Sequence, residues 1–320
     1  MKDNKIQKCV VLFSGGLDSR LVVKIMEEQG FQVVPVFFNL PFGCGCCNAL
    51  GCSFNFSQLQ EIKLEVFDCT KGKLFKEYMK VLKEAKHGRG AGVNPCRDCK
   101  IFMLKHAKKF AKSKGIDVIV TGEVLGERPM SQLKGSMMLI EEEAGLKNKI
   151  LRPLSAKLLP ETIWEKKGLV DREKLYDIQG RRREKQIALA EKFKIKFPHP
   201  AGGCLLCERN YKKRFNFFFE RGLDEKELPL VGIGRQFVID GEWIVLGRNE
   251  EENNIIKTLT VGKIITSGSL GITGGTAIIL DKKAGKKISK ETESKVAELI
   301  IAYSKGKDIK EREAFEECKL

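Results

Sequence analysis

The stretch VVLFSGGLDSRLVVKIM, residues 10–26, constrains the fold of this chain more than any other, because it prescribes a strand, a turn and a helix in immediate succession. Residues 10–13 form an unbroken apolar run of the kind a buried parallel strand needs. Leu21, Val22, Ile25 and Met26 then recur at helical spacing. Between them, Gly15 and Gly16 allow a tight turn and close ligand approach. The free amides of the helix start and the hydroxyls of Ser14 and Ser19 face one anion-sized space. The turn is not of the Walker type, which requires a lysine before the final hydroxyl, because Asp18 stands there instead. A carboxylate among phosphates calls for Mg2+ between them.

The strand and helix texture continues through residues 33–38, 62–67, 73–85, 100–114 and 118–121, an alternation that predicts a parallel sheet covered by helices. The polar loop TGEVLGERPMSQ follows the last of these strands, where open α/β sheets place their ligands. The texture changes beyond residue 217. Two strand-like runs meet across Asp240-Gly241, a hairpin signal, and a helix opens after Arg248-Asn249. Another helix is expected over residues 289–304. A chain of 320 residues suits two domains, and we divide it into residues 1–223 and a small α+β domain over 224–320.

The chain has eleven cysteines, and most are clustered. Cys96 and Cys99 in NPCRDCK form one CxxC pair, placed in a loop that runs into a helix; Cys204 and Cys207 in PAGGCLLC form another. Four such thiolates serve a structural zinc as well as an iron-sulfur cluster. Cys44, Cys46, Cys47 and Cys52 lie too close together for packing cysteines and are read as a second metal site, with a redox-active or sulfur-relay loop and a plain reduced cysteine-rich loop as the alternatives. Cys9, Cys69 and Cys318 are isolated. The three histidines, His87, His106 and His199, form no spaced ligand set.

Lys and Arg number 58 against 42 Asp and Glu, a formal charge of +16 that favours a polyanionic partner such as RNA. Arg181, Arg182, Arg183, Lys212, Lys213 and Arg214 are the candidate phosphate contacts. No run approaches about 18 apolar residues, and no signal segment is read at the N-terminus. The expectation is a cytoplasmic chain with no membrane partner, whose cysteines are metal ligands or reactive thiols and not disulfides.

SGGLDS resembles the signature of the PP-loop ATP pyrophosphatases, which cleave ATP between the α- and β-phosphates to adenylate a substrate. Together with NPCRDCK, PAGGC and TGEVLGERPMSQ, it makes residues 8–215 similar to the tRNA thiouridine synthetases of the 4-thiouridine and 2-thiouridine types. That resemblance implies a Rossmann-like α/β sheet of the adenine nucleotide alpha hydrolase, PP-loop type. It implies ATP held by Ser14, Gly15, Gly16, Asp18 and Ser19, with Phe38, Thr121 and Gly122 at neighbouring strand ends. It further implies a 4Fe-4S cluster on Cys96, Cys99 and Cys204, with Cys207 as a thiol beyond the expected three. The stretch IGRQFVIDGEWIVLGRNEEENNIIKTL resembles the NFACT RNA-binding domain, which implies contact with tRNA or rRNA. No THUMP or ferredoxin-like segment is read ahead of the SGGLDS strand, so tRNA docking falls to the basic middle and terminal regions.

The expected activity is therefore ATP-dependent tRNA thiolation: adenylation of a uridine carbonyl, then replacement of its oxygen by sulfur from sulfide or a persulfide carrier. Asp18, Cys96, Cys99 and Cys204 are the catalytic candidates. The alternatives are a zinc-containing ligase of the 7-cyano-7-deazaguanine synthase kind and a non-catalytic RNA-binding factor.

Overall fold

The computed structural model describes residues 7–43, 63–197, 203–281, 288–304 and 310–320. Cys44, Cys46, Cys47, Cys52 and His199 lie outside the described residues. The chain divides into two compact units, residues 1–209 and 210–320.

In the first unit, β1 (Lys8–Leu12), α1 (Leu17–Glu28), β2 (Gln32–Asn39), β3 (Glu65–Asp68), α2 (Gly72–Glu84), α3 (Cys96–Ser113), β4 (Val118–Thr121), α4 (Lys134–Glu143), β5 (Ile150–Leu151), α5 (Ile163–Lys166) and α6 (Glu184–Lys192) follow in order. The five strands form a parallel sheet in the order β3-β2-β1-β4-β5. The alternation of apolar strands and amphipathic helices in the sequence has this α/β sheet as its outcome. Leu17, Leu21, Val22, Ile25 and Met26 of α1 are buried against Cys9, Val11, Val118 and Val120. Burying an aliphatic side chain of this size stabilises by roughly 1.5–3 kcal/mol, so this face alone fixes α1 on the sheet. The strand order reverses between β1 and β4, and the SGGLDS turn leaves β1 at that point, where doubly wound sheets bind ligands.

One boundary differs in a consequential way. Residues 96–99 are not a loop ahead of a helix; Cys96 opens α3. Pro95 at the N-cap position lacks only an N–H that a helix start leaves unpaired in any case. Asp98 in the first turn accepts from the His87 backbone N–H at 3.0 Å and pairs with His87 Nδ1 at 2.7 Å.

The second unit holds α7 (Lys212–Arg221), β6 (Arg235–Ile239), β7 (Glu242–Leu246), α8 (Glu250–Thr258), β8 (Lys263–Thr266), β9 (Thr276–Leu280), α9 (Lys290–Ala302) and α10 (Lys310–Glu313). Its antiparallel sheet runs β6-β7-β9-β8. The hairpin falls on Asp240-Gly241, both with positive φ (54° and 84°), the geometry a two-residue turn of this kind demands. Helix α7 belongs to this unit, ahead of the boundary expected at residue 224, because Phe218 packs edge-on against Trp243 and Arg221 pairs with Glu227. Among the described residues no helix is long and apolar enough to cross a membrane.

Candidate functional site

The phosphate turn is built from its own backbone. Gly15 has φ 81°, and the buried Arg20 donates from Nε to the Gly15 carbonyl at 2.7 Å, locking the turn from beneath. Gly16 caps α1 with no side-chain hydrogen bond to the helix amides, which leaves them directed at the space above. Ser19 Oγ donates to the Gly16 carbonyl at 2.9 Å, and Ser14 Oγ lies 3.4 Å from Ser19 Oγ. Gly122, at the end of β4, is required by close approach: a Cβ there would fall 2.9 Å from Asp18 C and Ser19 N.

Asp18 is the chemical centre of this turn. Its Oδ1 is buried with no hydrogen-bond partner, and burial pushes its carboxyl above the ordinary range against the opposing pull of Arg183, Gln186 and Arg128. Glu127 is raised as well, by burial and then by the charge of Asp18. Two carboxylates thus share one partly desolvated space with two guanidiniums. The placement of Arg183 follows from the chain path. Gly180 N–H donates to the Leu125 carbonyl at 2.7 Å, so the segment entering α6 runs beside the TGEVLGERPMSQ loop. Gln186, in the first turn of α6, is fully buried and acts on Asp18, though its amide makes no hydrogen bond of normal geometry. Orphaned polar atoms converging on a glycine turn mark a ligand site.

Sequence reasoning placed Arg183 with Arg181 and Arg182 as an RNA contact. Arg181 and Arg182 are exposed, whereas Arg183 is half-buried and acts on Asp18 and Glu127. Glu127, Arg128 and Gln186 were missed. The signal available for them was the loop's position at a strand end, which names a segment but not which of its side chains turn inward. Phe38 is almost buried and stacks on Phe67 at 4.8 Å, and Thr121 donates to the Glu123 carboxylate at 3.1 Å, so the side chains of both are engaged within the protein.

The two CxxC pairs come together by backbone contact. Val93 N–H donates to the Leu206 carbonyl and Leu205 N–H to the Phe42 carbonyl, each at 2.9 Å. Gly92 allows this, since a Cβ there would lie 2.3 Å from the Leu206 oxygen. Cys207 interacts with both Cys96 and Cys204, and its influence, reinforced by burial, raises the Cys96 thiol. Cys99 lies 3.2 Å from the hydroxyl of the buried Tyr78, and burial pushes its thiol up to about 11. Cys69, taken as isolated in sequence, has its thiol raised by burial and then by Cys99, and both Cys69 and Cys9 are fully buried. Among the described residues no three Cys, His, Asp or Glu side chains stand as a ready metal-ligand group. The donor chemistry still suits a soft metal, because the four thiols are free and share one neighbourhood.

A parallel sheet with a glycine turn at its switch point, bared helix amides and an acidic residue inside that turn is an α/β arrangement suited to holding an anion. The family model described as thiamine biosynthesis protein (ThiI) matches residues 5–158, a little under half of the chain. A probable tRNA sulfurtransferase of Thermococcus kodakarensis is 32% identical over 151 residues, 46% of this chain and 36% of that protein. An uncharacterized protein of Methanocaldococcus jannaschii is 25% identical over 163 residues, 50% of this chain and 54% of that one. The chain thus spans about half or less of the length of these curated relatives. Among solved structures, a 4-thiouridine synthetase–RNA complex with bound ATP aligns over 70% of this chain and 52% of its own at a TM-score of 0.40 and 18% identity. A U34-tRNA thiolase from Methanococcus maripaludis with its [4Fe-4S] cluster aligns over 70% of each chain at 0.35 and 15%.

Proposed function

We propose that this protein is an ATP-dependent tRNA-thiolating enzyme. The observation that carries the reading is one compact unit holding both an anion-binding turn lined by orphaned polar groups and a neighbourhood of four free thiols. The similarity to tRNA sulfurtransferases supports it.

In this reading the amides of the Gly16–Ser19 turn and the hydroxyls of Ser14 and Ser19 orient the phosphates of ATP. Asp18 and Glu127 would hold Mg2+, which supplies charge neutralisation for the pyrophosphate; the unpartnered Asp18 Oδ1 fits that role. Arg183 and Arg128 face the same charge from the protein side. The uridine oxygen attacks the α-phosphorus, the bond to the β-phosphate oxygen breaks, and pyrophosphate leaves. Adenylation turns a poor oxygen leaving group into AMP. A sulfur nucleophile delivered at the thiols then attacks the activated carbon and expels AMP. Cys96, Cys99 and Cys204 would hold a 4Fe-4S cluster, which when bound supplies iron able to carry sulfur.

One observation favours a second reading of the metal. Cys207 is a free thiol in the same neighbourhood as Cys96 and Cys204 and interacts with both, so a fourth ligand is at hand, as a closed four-thiolate zinc site would need. Anaerobic purification separates the two, since the cluster protein is brown and the zinc protein colourless. The activity is tested by mass spectrometry of tRNA nucleosides from a deletion strain: loss of one thiouridine is the expected outcome, and an unchanged nucleoside profile would sink the proposal.

For the RNA, exposed Arg181 and Arg182, with Lys212, Lys213 and Arg214 of the NFACT-like unit, are the proposed phosphate contacts. Arg214 lies 4.8 Å over the Tyr211 ring and donates to the Val231 carbonyl at 3.1 Å. Replacing Arg181 and Arg182 by alanine is expected to lower the slope of log affinity against log salt by about 1.5–2. Filter binding across a salt series measures it, and an unchanged slope makes both arginines solvated surface.

A further inference from the structure

Between the phosphate turn and the thiols runs a chain of alternating charge. Glu123 is 2% exposed, and its Oε2 accepts from Arg152 Nε and from Thr121 Oγ1, each at 3.1 Å. Arg152 is 3% exposed and also pairs with Glu141. The other Glu123 oxygen has no hydrogen bond and faces Lys100 Nζ at 3.6 Å. Burial by itself would raise the Glu123 carboxyl, but Lys100 and Arg152 outweigh it and hold the carboxyl below its usual range. Two members of the chain, Glu123 and Arg152, are closed off from water. Lys100, 26% exposed, is the one that opens onto the cysteine side.

Its place on α3 decides what it meets. Residues four apart on a helix share a face, so Lys100 stands one turn after Cys96 and directly follows Cys99. Its charge acts on both thiols. A lysine on an exposed helix face loses such a position to rotamer entropy. Here a buried carboxylate pins the ammonium, so the charge is fixed before anything binds. The thiols themselves bring negative charge whenever they ionise or hold a metal, and an incoming anion is repelled unless a cation stands beside them.

We propose that Lys100, pinned by the buried Glu123, is the cation that draws a small anionic sulfur species such as hydrosulfide to the Cys96–Cys99 site. This rests on the thiolation reading for its biological meaning, but the electrostatic assignment stands on these residues alone and is tested without turnover.

The test uses the full-length, metal-free protein and two alkylating reagents on the same thiol, anionic iodoacetate and neutral iodoacetamide. Their rate ratio at Cys96, read by peptide mass spectrometry, cancels the thiol's own ionisation and reports the local field. Lys100→Met should lower the ratio roughly fivefold, the order expected for one unit charge at a few ångströms under partial solvent screening. Lys100→Arg should keep it, and the ratio at Cys318 in the second unit should not move. In the wild type the Cys96 ratio should exceed that of a free cysteine derivative and fall as salt rises, so the proposal stays testable even if a variant fails to fold. An unchanged ratio in Lys100→Met, or a salt-independent wild-type ratio, overturns it.

With the metal-loaded enzyme and inorganic sulfide as donor, Lys100→Met should raise the KM for sulfide severalfold with little change in kcat, and pyrophosphate release should be untouched. A wild type that thiolates no RNA under these conditions defeats the functional reading while leaving the alkylation result to judge Lys100. A wild type that thiolates with no change of sulfide KM in the variant defeats the role of Lys100 alone.

Discussion

Asp18→Ala is expected to cut ATP-dependent pyrophosphate release by about 100- to 1000-fold, the range for deleting one preorganised charge contact in an active site. The melting temperature should hardly move. Asp18 sits in the first turn of α1, where a carboxylate contributes about 0.3–1 kcal/mol through the helix dipole. Its burial without a partner for Oδ1 offsets that gain. A large kinetic loss beside a small stability change separates a ligand contact from a packing residue. Ser14→Ala should lower release by a smaller factor, because Gly16 and Ser19 keep their own contacts to one another. A phosphate-release assay on both variants, with calorimetry alongside, measures this. Wild-type turnover in Asp18→Ala would remove the PP-loop chemistry from this turn.

The second large effect concerns the thiols. Cys96→Ala, Cys99→Ala and Cys204→Ala should each lose nearly all bound iron together with thiolation, since alanine offers no substitute for a ligand thiolate. Cys207→Ala should keep most of the iron and part of the activity. Cys207 is the exposed member of the group, at the end of the short turn Leu205–Cys207. Iron analysis and visible absorption of the four variants decide the matter. If Cys207→Ala loses iron as fully as Cys204→Ala, the site is a closed set of four thiolates. A sulfur-carrying iron then has no open position, and zinc or a purely structural cluster becomes the better assignment.

Much of the frame was legible in the residues themselves. The apolar run before SGGLDS could only be a buried strand, the spacing after it only a helix, and Asp240-Gly241 only a tight hairpin, because each depends on local backbone preference and side-chain periodicity. The same locality made Ser14 to Ser19 readable as an anion site, since neighbouring amides of one turn build it. The pairing of NPCRDCK with PAGGCLLC followed from motif resemblance. What joins them in space, a glycine at 92 with no Cβ to block Leu206, is visible only in the folded chain.

Side chains whose role depends on distant partners were not legible. Arg183 reads in sequence as one of three equal arginines, and only the pairing of Gly180 with Leu125 turns it away from solvent toward Asp18. Glu127 and Gln186 carry no motif of their own and gain meaning from the burial they share with that carboxylate. Lys100 looks like any helix lysine until Glu123 and Arg152, brought in from other strand ends, fix its ammonium beside the thiols. Sequence by itself thus determined the elements and the phosphate turn, which arise from contacts between near neighbours. Tertiary structure alone decided which charges face inward, because desolvation and Coulomb interaction depend on distance in space and not along the chain.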